Sequence, residues 1–277
     1  MKPTPPYWAR HDEQVTANGR RLDLRMWGCS WNSVHEAARV AAERVADLVA
    51  AGGPGPRPVE QYYPRVPLRE EVLRQLHSGD TLVAEVTRNR YGATVLNTDL
   101  VLIADIDLPA EPRRRGLFRR RPTGPSAEDQ TRERITGFAR ANPQWGLRVY
   151  RTFGGFRVLV LGADAAPGST RATEILTQLG SDPLYVTLCR THETFRARVS
   201  PKPWRLDSGI RALPVQWPAE EQLDRYRRWV ADYDQAAAHH ATCRLETATP
   251  TSMSDAEAAI VDLHDTWSKA DVDLPLA

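Results

Sequence analysis

Apolar and polar residues alternate at Leu22, Leu24 and Met26 within RRLDLRMW, residues 20–27, which is the period of a strand with one buried face. The period then changes. Ser33 and Glu36 form a capping-box pair, Val34, Ala37, Ala38, Ala41, Val45 and Leu48 recur at helical spacing, and Gly52-Gly53 closes the run. GGPGPRP, residues 52–58, follows as a loop. In PLREEVLRQLH, residues 67–77, Pro67 stands at a first helical position with Leu68, Val72 and Leu76 behind it, which predicts a second helix.

Residues 81–109, TLVAEVTRNRYGATVLNTDLVLIADIDLP, divide into three strands at the turn residues 89–92 and 97–99. The third, LVLIADID, is apolar at nearly every position until two aspartates end it, as expected of a strand buried on both faces. The aperiodic stretch 110–125, AEPRRRGLFRRRPTGP, reads as a loop. A helix is predicted from Ser126, with Asp129 completing its capping box, to about Ala141 before Asn142-Pro143. LRVYRTF and FRVLVLG then form a hairpin joined at Gly154-Gly155. Residues 169–180 carry a helical stripe that ends at Gly180, PLYVTLCR at 183–190 extends or restarts it, and FRARV at 195–199 is a short strand. Two more helices are predicted at 219–238 and 254–269.

From Leu100 onward this order predicts an α+β fold with a ferredoxin-like or RRM-like βαββαβ core and additional N-terminal strands and helices. In such a sheet the first and third strands are neighbours, so the end of LIADID is expected beside FRVLVLG. The expected organisation is an N-terminal part, 1–80, packed on a core at 81–215, followed by a helical extension at 216–277.

Composition changes this picture little. At 277 residues, 41% hydrophobic and 26% charged, with mean hydropathy −0.50, the chain is an ordinary globular one. No apolar run approaches the roughly 18 residues of a membrane span, and the first residues lack a signal-like apolar segment, so a cytoplasmic location without a membrane partner is expected. Cys29, Cys189 and Cys243 are too dispersed for a disulfide framework or a zinc ribbon.

Charge changes it more. The net +2 conceals six arginines at 108–123 against Glu111 alone, and nine arginines with Lys202 at 146–211 against five acids. Arginine outnumbers lysine 34 to 3, and its planar fork suits phosphate. A polyanionic ligand is the expectation.

Asp105 and Asp107 are one residue apart on a strand, so both side chains leave the same face while Ile106 leaves the other. Two like charges so close require a compensating cation, and a carboxylate pair at a strand end suits Mg²⁺ or Mn²⁺. Arg151, Thr152, Gly154, Gly155 and Arg157 surround the Gly-Gly turn as a candidate phosphate cradle. Of the nearby aromatics Tyr150, Phe153 and Phe156, core packing is the expected role of at least two. Residues 181–205 add Arg196 and Arg198 on one strand face, then Lys202 and Arg205. Asp182 is a candidate third carboxylate, with Asp207 the competing choice.

LIADIDLP, then YRTFGGFRVLV, then a later acidic and basic segment resembles the archaeo-eukaryotic primase superfamily, which includes primase-polymerases and ligase-associated polymerase modules, over roughly residues 81–207. The resemblance implies metal binding by Asp105 and Asp107 and triphosphate contact from the hairpin 152–157, with Arg157 standing near the place of the family's histidine. It implies a nucleotide-binding or nucleic-acid-binding protein with metal-dependent nucleotidyl transfer, to which Asp182 contributes. The alternatives are a non-catalytic nucleic-acid-binding module of RRM-like fold and a metal-dependent phosphohydrolase or nuclease.

Overall fold

The computed structural model describes residues 1–17, 20–52, 67, 69–109, 124–215 and 217–277. The chain forms two compact units, Lys2–Arg69 and Glu70–Ala277, the latter joined by Met1. The loops expected at 52–58 and 110–125 lie almost wholly outside the described residues.

In the smaller unit the strand expected at 20–27 is longer and has a partner. β1 (Tyr7–Ala17) pairs antiparallel with β2 (Arg20–Ser30) from Tyr7↔Ser30 to Ala17↔Arg20. The helix α1 (Val34–Ala50) begins where the capping residues predict, with the Ser33 side chain accepting from the Glu36 amide, and it buries Ala37, Ala41 and Val45.

The larger unit is α+β, with two four-stranded antiparallel sheets. One contains β3 (Glu71–Ser78), β4 (Thr81–Arg88), β5 (Thr94–Thr98) and β9 (Phe195–Arg198) in that order. β3 replaces the helix predicted at 67–77. Its Glu, Arg, Gln and Leu residues favour a helix locally, but Ser78 and Thr81 pair across the two-residue loop Gly79-Asp80, and Gly79 takes the positive φ that such a turn needs. Ladder bonds to β4 and the packing of Leu73 and Leu76 on the core override the weaker local preference.

The other sheet has the order β10-β7-β8-β6, from β6 (Leu102–Asp107), β7 (Gly146–Thr152), β8 (Gly155–Leu161) and β10 (Cys243–Ala248). The expected neighbours meet: Asp105 faces Arg157, Ile106 faces Phe156 and Asp107 faces Gly155. β10 was not anticipated; it covers the open side of β7. Helices α2 (Ala127–Ala141) and α3 (Thr170–Leu179) cover one face, burying Ile135, Phe138, Ile175, Leu176 and Leu179; α2 starts at the predicted Ser126 cap and α3 at Ser169, whose side chain accepts from the Ala172 amide. α6 (Asp255–Ser268) reaches the opposite face through His264, which lies against Tyr150 and Arg157. α5 (Leu223–Ala237) stacks Trp229 on Tyr233.

β9, the last strand of the expected βαββαβ order, pairs with β5 in the other sheet instead. α4 (Pro183–His192) accounts for the difference. It starts a new helix after Gly180, and its first turn satisfies the free edge of β6: the Asp182 amide donates to the Asp105 carbonyl (3.1 Å) and the Tyr185 hydroxyl to that of Ile103 (2.7 Å). The same hydroxyl accepts from the Arg196 amide (3.3 Å), so Tyr185 links β6 to β9. Burial, with the Cys189 thiol and Asp105 nearby, raises the Tyr185 pKa well above that of a free phenol, so the hydroxyl keeps the proton it donates. No described helix is long and apolar enough to cross a membrane.

Candidate functional site

Period-two geometry on β6 sends Ile106 into the core, 3% exposed, and leaves Asp105 and Asp107 together on the opposite face. Gly155 permits this. A Cβ there would lie 1.9 Å from the Ile106 carbonyl oxygen, so only glycine lets β8 come this close to the end of β6. The turn is closed by the Thr152 hydroxyl, which accepts from the Gly155 amide (3.0 Å), and Leu108 donates to the Gly154 carbonyl (2.9 Å). A Cβ on Gly154 would stand 3.6 Å from Asp107 Oδ1, an ordinary contact.

Three negative charges meet here. Burial raises the Asp107 pKa, and the charges of Asp105 and Asp182 raise it further, against the cations Lys202 and Arg198. Lys202 shows the converse: burial lowers its pKa, followed by repulsion from Arg198 and Arg205, while Asp107 and Asp105 oppose the shift. Arg205 is lowered by burial and Arg198 against the same acids. Asp105, Asp107 and Asp182 thus share one electrostatic neighbourhood with Arg198, Lys202 and Arg205. Arg198 Nε, like Arg157 Nε, is buried without a hydrogen-bond partner.

Asp182 is the third acid of this cluster. Its side chain also caps α4 by accepting from the Leu184 amide (3.0 Å). Asp207 is 98% exposed, and its Oδ2 lies 3.8 Å from His240 Nε2.

The remaining predicted ligands are distributed differently. Arg151 pairs across the sheet with Phe156, on the face opposite the aspartates, and donates to the Thr152 and Gly155 carbonyls and to Glu128. Arg157 is on the correct face but only 3% exposed. Its Nη1 donates to the Arg198 carbonyl (3.0 Å) and meets His264 Nε2 (3.2 Å), while Nη2 is 4.0 Å from Asp105 Oδ1. It positions Asp105 and Arg198 from beneath and is closed to a phosphate. Arg196 is also committed, donating to both oxygens of buried Glu70 (2.9 and 2.8 Å). Tyr150 and Phe156 are fully buried, whereas Phe153 is exposed at the hairpin tip. His192 has its pKa pushed down to about 4 by burial and by Arg196, which makes it neutral at pH 7 and a poor phosphate partner.

Two residues that border this cluster without belonging to it, Trp204 and His264, were not among the predicted ones. Trp204 stands between Lys202 and Arg205, an interleaving of aromatic and basic residues that was its available signal. His264 gave none, since a histidine on the apolar stripe of a helix reads as core. His264 Nδ1 lies 2.8 Å from Asp265 Oδ1. Because the Arg157 guanidinium only donates, its contact makes Nε2 the acceptor and puts the imidazole proton on Nδ1, facing Asp265.

Among the described residues no group of three or more His, Cys, Asp or Glu side chains is arranged to hold a metal ion. Two carboxylates still suit Mg²⁺ or Mn²⁺, which take one or two protein carboxylates and complete their shell with water and substrate phosphates. The mutual repulsion around Asp107 is what such an ion would relieve. Comparisons with protein-family models, characterised proteins and solved structures give no match to this chain.

That repulsion has a measurable consequence. With its pKa raised in the folded state, Asp107 holds its proton there at pH values where the unfolded chain has already released it, so stability is lost as pH rises through that window. Asp107→Asn is therefore expected to raise the melting temperature at pH 7, and the gain should vanish at acid pH, where Asp107 is protonated in both states. Added Mn²⁺ should raise the melting temperature of the wild type and do so less for the variant. A variant melting at or below the wild type at pH 7 contradicts this electrostatic account.

Proposed function

We propose that this protein is a divergent member of the primase-polymerase class that binds a nucleoside triphosphate, or the 3′ end of a nucleic acid, at Asp105 and Asp107 together with Mg²⁺ or Mn²⁺, for nucleotidyl transfer. One observation carries the reading: the strand-end acids Asp105 and Asp107 share one electrostatic neighbourhood with the cations Arg198, Lys202 and Arg205. The order β6-α2-β7-β8, with β8 between β6 and β7, agrees with the first three strands of an RRM-like core, and α4 takes the edge a fourth strand would fill.

In this reading Asp105 and Asp107 are the metal ligands, and the bound ion supplies charge neutralisation at the phosphates. Lys202, Arg198 and Arg205 bind the phosphate oxygens, and Arg198 and Arg205 are able to do so bidentately. Asp182 acts by position, fixing the Asp105 backbone through its amide. Arg157 holds the Asp105 side chain and the Arg198 backbone from below, and needs no contact with substrate.

Calorimetric titration of a nucleoside triphosphate with and without Mn²⁺ tests this. Affinity is expected to depend on the metal and to fall roughly tenfold or more in Asp105→Asn with Asp107→Asn, the equivalent of about 1.4 kcal/mol or more. Binding that ignores both metal and substitutions would instead support the non-catalytic module. Conversion of the triphosphate to hydrolysis products without chain extension would support the phosphohydrolase.

A further inference from the structure

Phe153 and Trp204 are the two most exposed aromatic side chains among the described residues, at 54% and 55%. Both lie beside Arg205. Its guanidinium stands 4.1 Å from the centroid of Phe153 at the hairpin tip, and Trp204 immediately precedes it in the 3-10 turn Pro203–Arg205. Lys202 Nζ is 5.8 Å from the Trp204 ring, and Tyr91 packs edge-on against that ring at 5.3 Å. Burial would stabilise both faces, yet the fold leaves them in water among cations.

We propose that Trp204 and Phe153 form a stacking platform for unpaired bases of a single nucleic-acid strand, whose phosphates lie against Lys202 and Arg205 beside the Asp105 and Asp107 site. A strand alternates planar bases with phosphates, and this surface alternates Trp204 and Phe153 with Lys202 and Arg205. An acidic peptide would satisfy the cations and leave the ring faces bare. A duplex hides its base faces in its own stack. A free mononucleotide brings one base, whereas two separate rings flank Arg205. The platform's place beside a reacting end rests on the function proposed above; its affinity for a strand does not.

The test is fluorescence anisotropy of the full chain with a labelled mixed-sequence single-stranded DNA oligonucleotide and with the corresponding duplex, run beside the Mn²⁺-triphosphate titration. Trp204→Ala is expected to weaken strand binding about tenfold and Phe153→Ala to weaken it further, while Trp204→Phe retains most of the affinity. Triphosphate binding should be unchanged in all three. Both side chains are half-exposed, so the melting temperatures of the variants serve as the folding control. Strand affinity unchanged by the alanine variants, preference for the duplex, or equal loss of triphosphate and strand would each overturn the platform. If the wild type fails to bind triphosphate but still loses strand affinity in Trp204→Ala, the catalytic reading falls and the platform stands.

Discussion

Glu70→Ala is expected to destabilise the larger unit by about 3–5 kcal/mol, the usual cost of leaving one member of a buried ion pair alone. Glu70 is 7% exposed, accepts from both the Arg196 guanidinium and the Thr87 hydroxyl, and supplies the counter-charge for an arginine that is itself largely buried. Removing it leaves that guanidinium desolvated in the sheet that carries Arg198, so the loss extends to the site. Urea denaturation measures it. Replacing Glu70 and Arg196 together by methionine should recover most of the stability, because apolar residues of similar volume leave no buried charge behind. A single Glu70→Ala variant as stable as the wild type would mean that the pair contributes nothing.

Gly155→Ala should be comparably severe, at about 3 kcal/mol. The added methyl would meet the Ile106 carbonyl oxygen at 1.9 Å and the Leu108 amide nitrogen at 3.0 Å. Both are backbone atoms in a paired strand, so neither can move aside without opening the ladder between β6 and β8. That ladder holds Asp107, and triphosphate affinity should therefore fall together with the melting temperature. Gly154→Ala is the control: the nearest atom to its Cβ is 3.6 Å away, and both properties should stay near wild type. Equal behaviour of the two variants would remove the argument for close approach at Gly155.

The parts of this structure that could be read from the sequence are those governed by local periodicity. The apolar runs of β6 and β8, the Gly-Gly turn and the serine caps of α1 and α2 are written within a few residues of where they act. The meeting of Asp105 with the strand after the turn followed from strand order alone. Contacts made across long sequence separations were not legible. Glu70 captures Arg196 from 126 residues away, and His264 approaches Arg157 from 107, so two of the predicted phosphate ligands had partners that no local pattern announces. Arg151 was misplaced for a different reason. Its distance from the turn was right, but strand parity sends it to the α2 face. The segment 67–77 shows the same limit in secondary structure, where helix-favouring residues became a strand once the Gly79-Asp80 turn brought β4 alongside.

The central claim is that the strand-end acids and the basic turn after β9 bind one ligand between them. A crystal soaked with Mn²⁺ and a non-hydrolysable nucleoside triphosphate, measured at the manganese absorption edge, tests it most directly. The expected result is an anomalous peak between the Asp105 and Asp107 carboxylates, with the triphosphate reaching from it to Arg198, Lys202 and Arg205. Manganese or triphosphate bound elsewhere, with these side chains unliganded at saturating concentrations, would contradict the account.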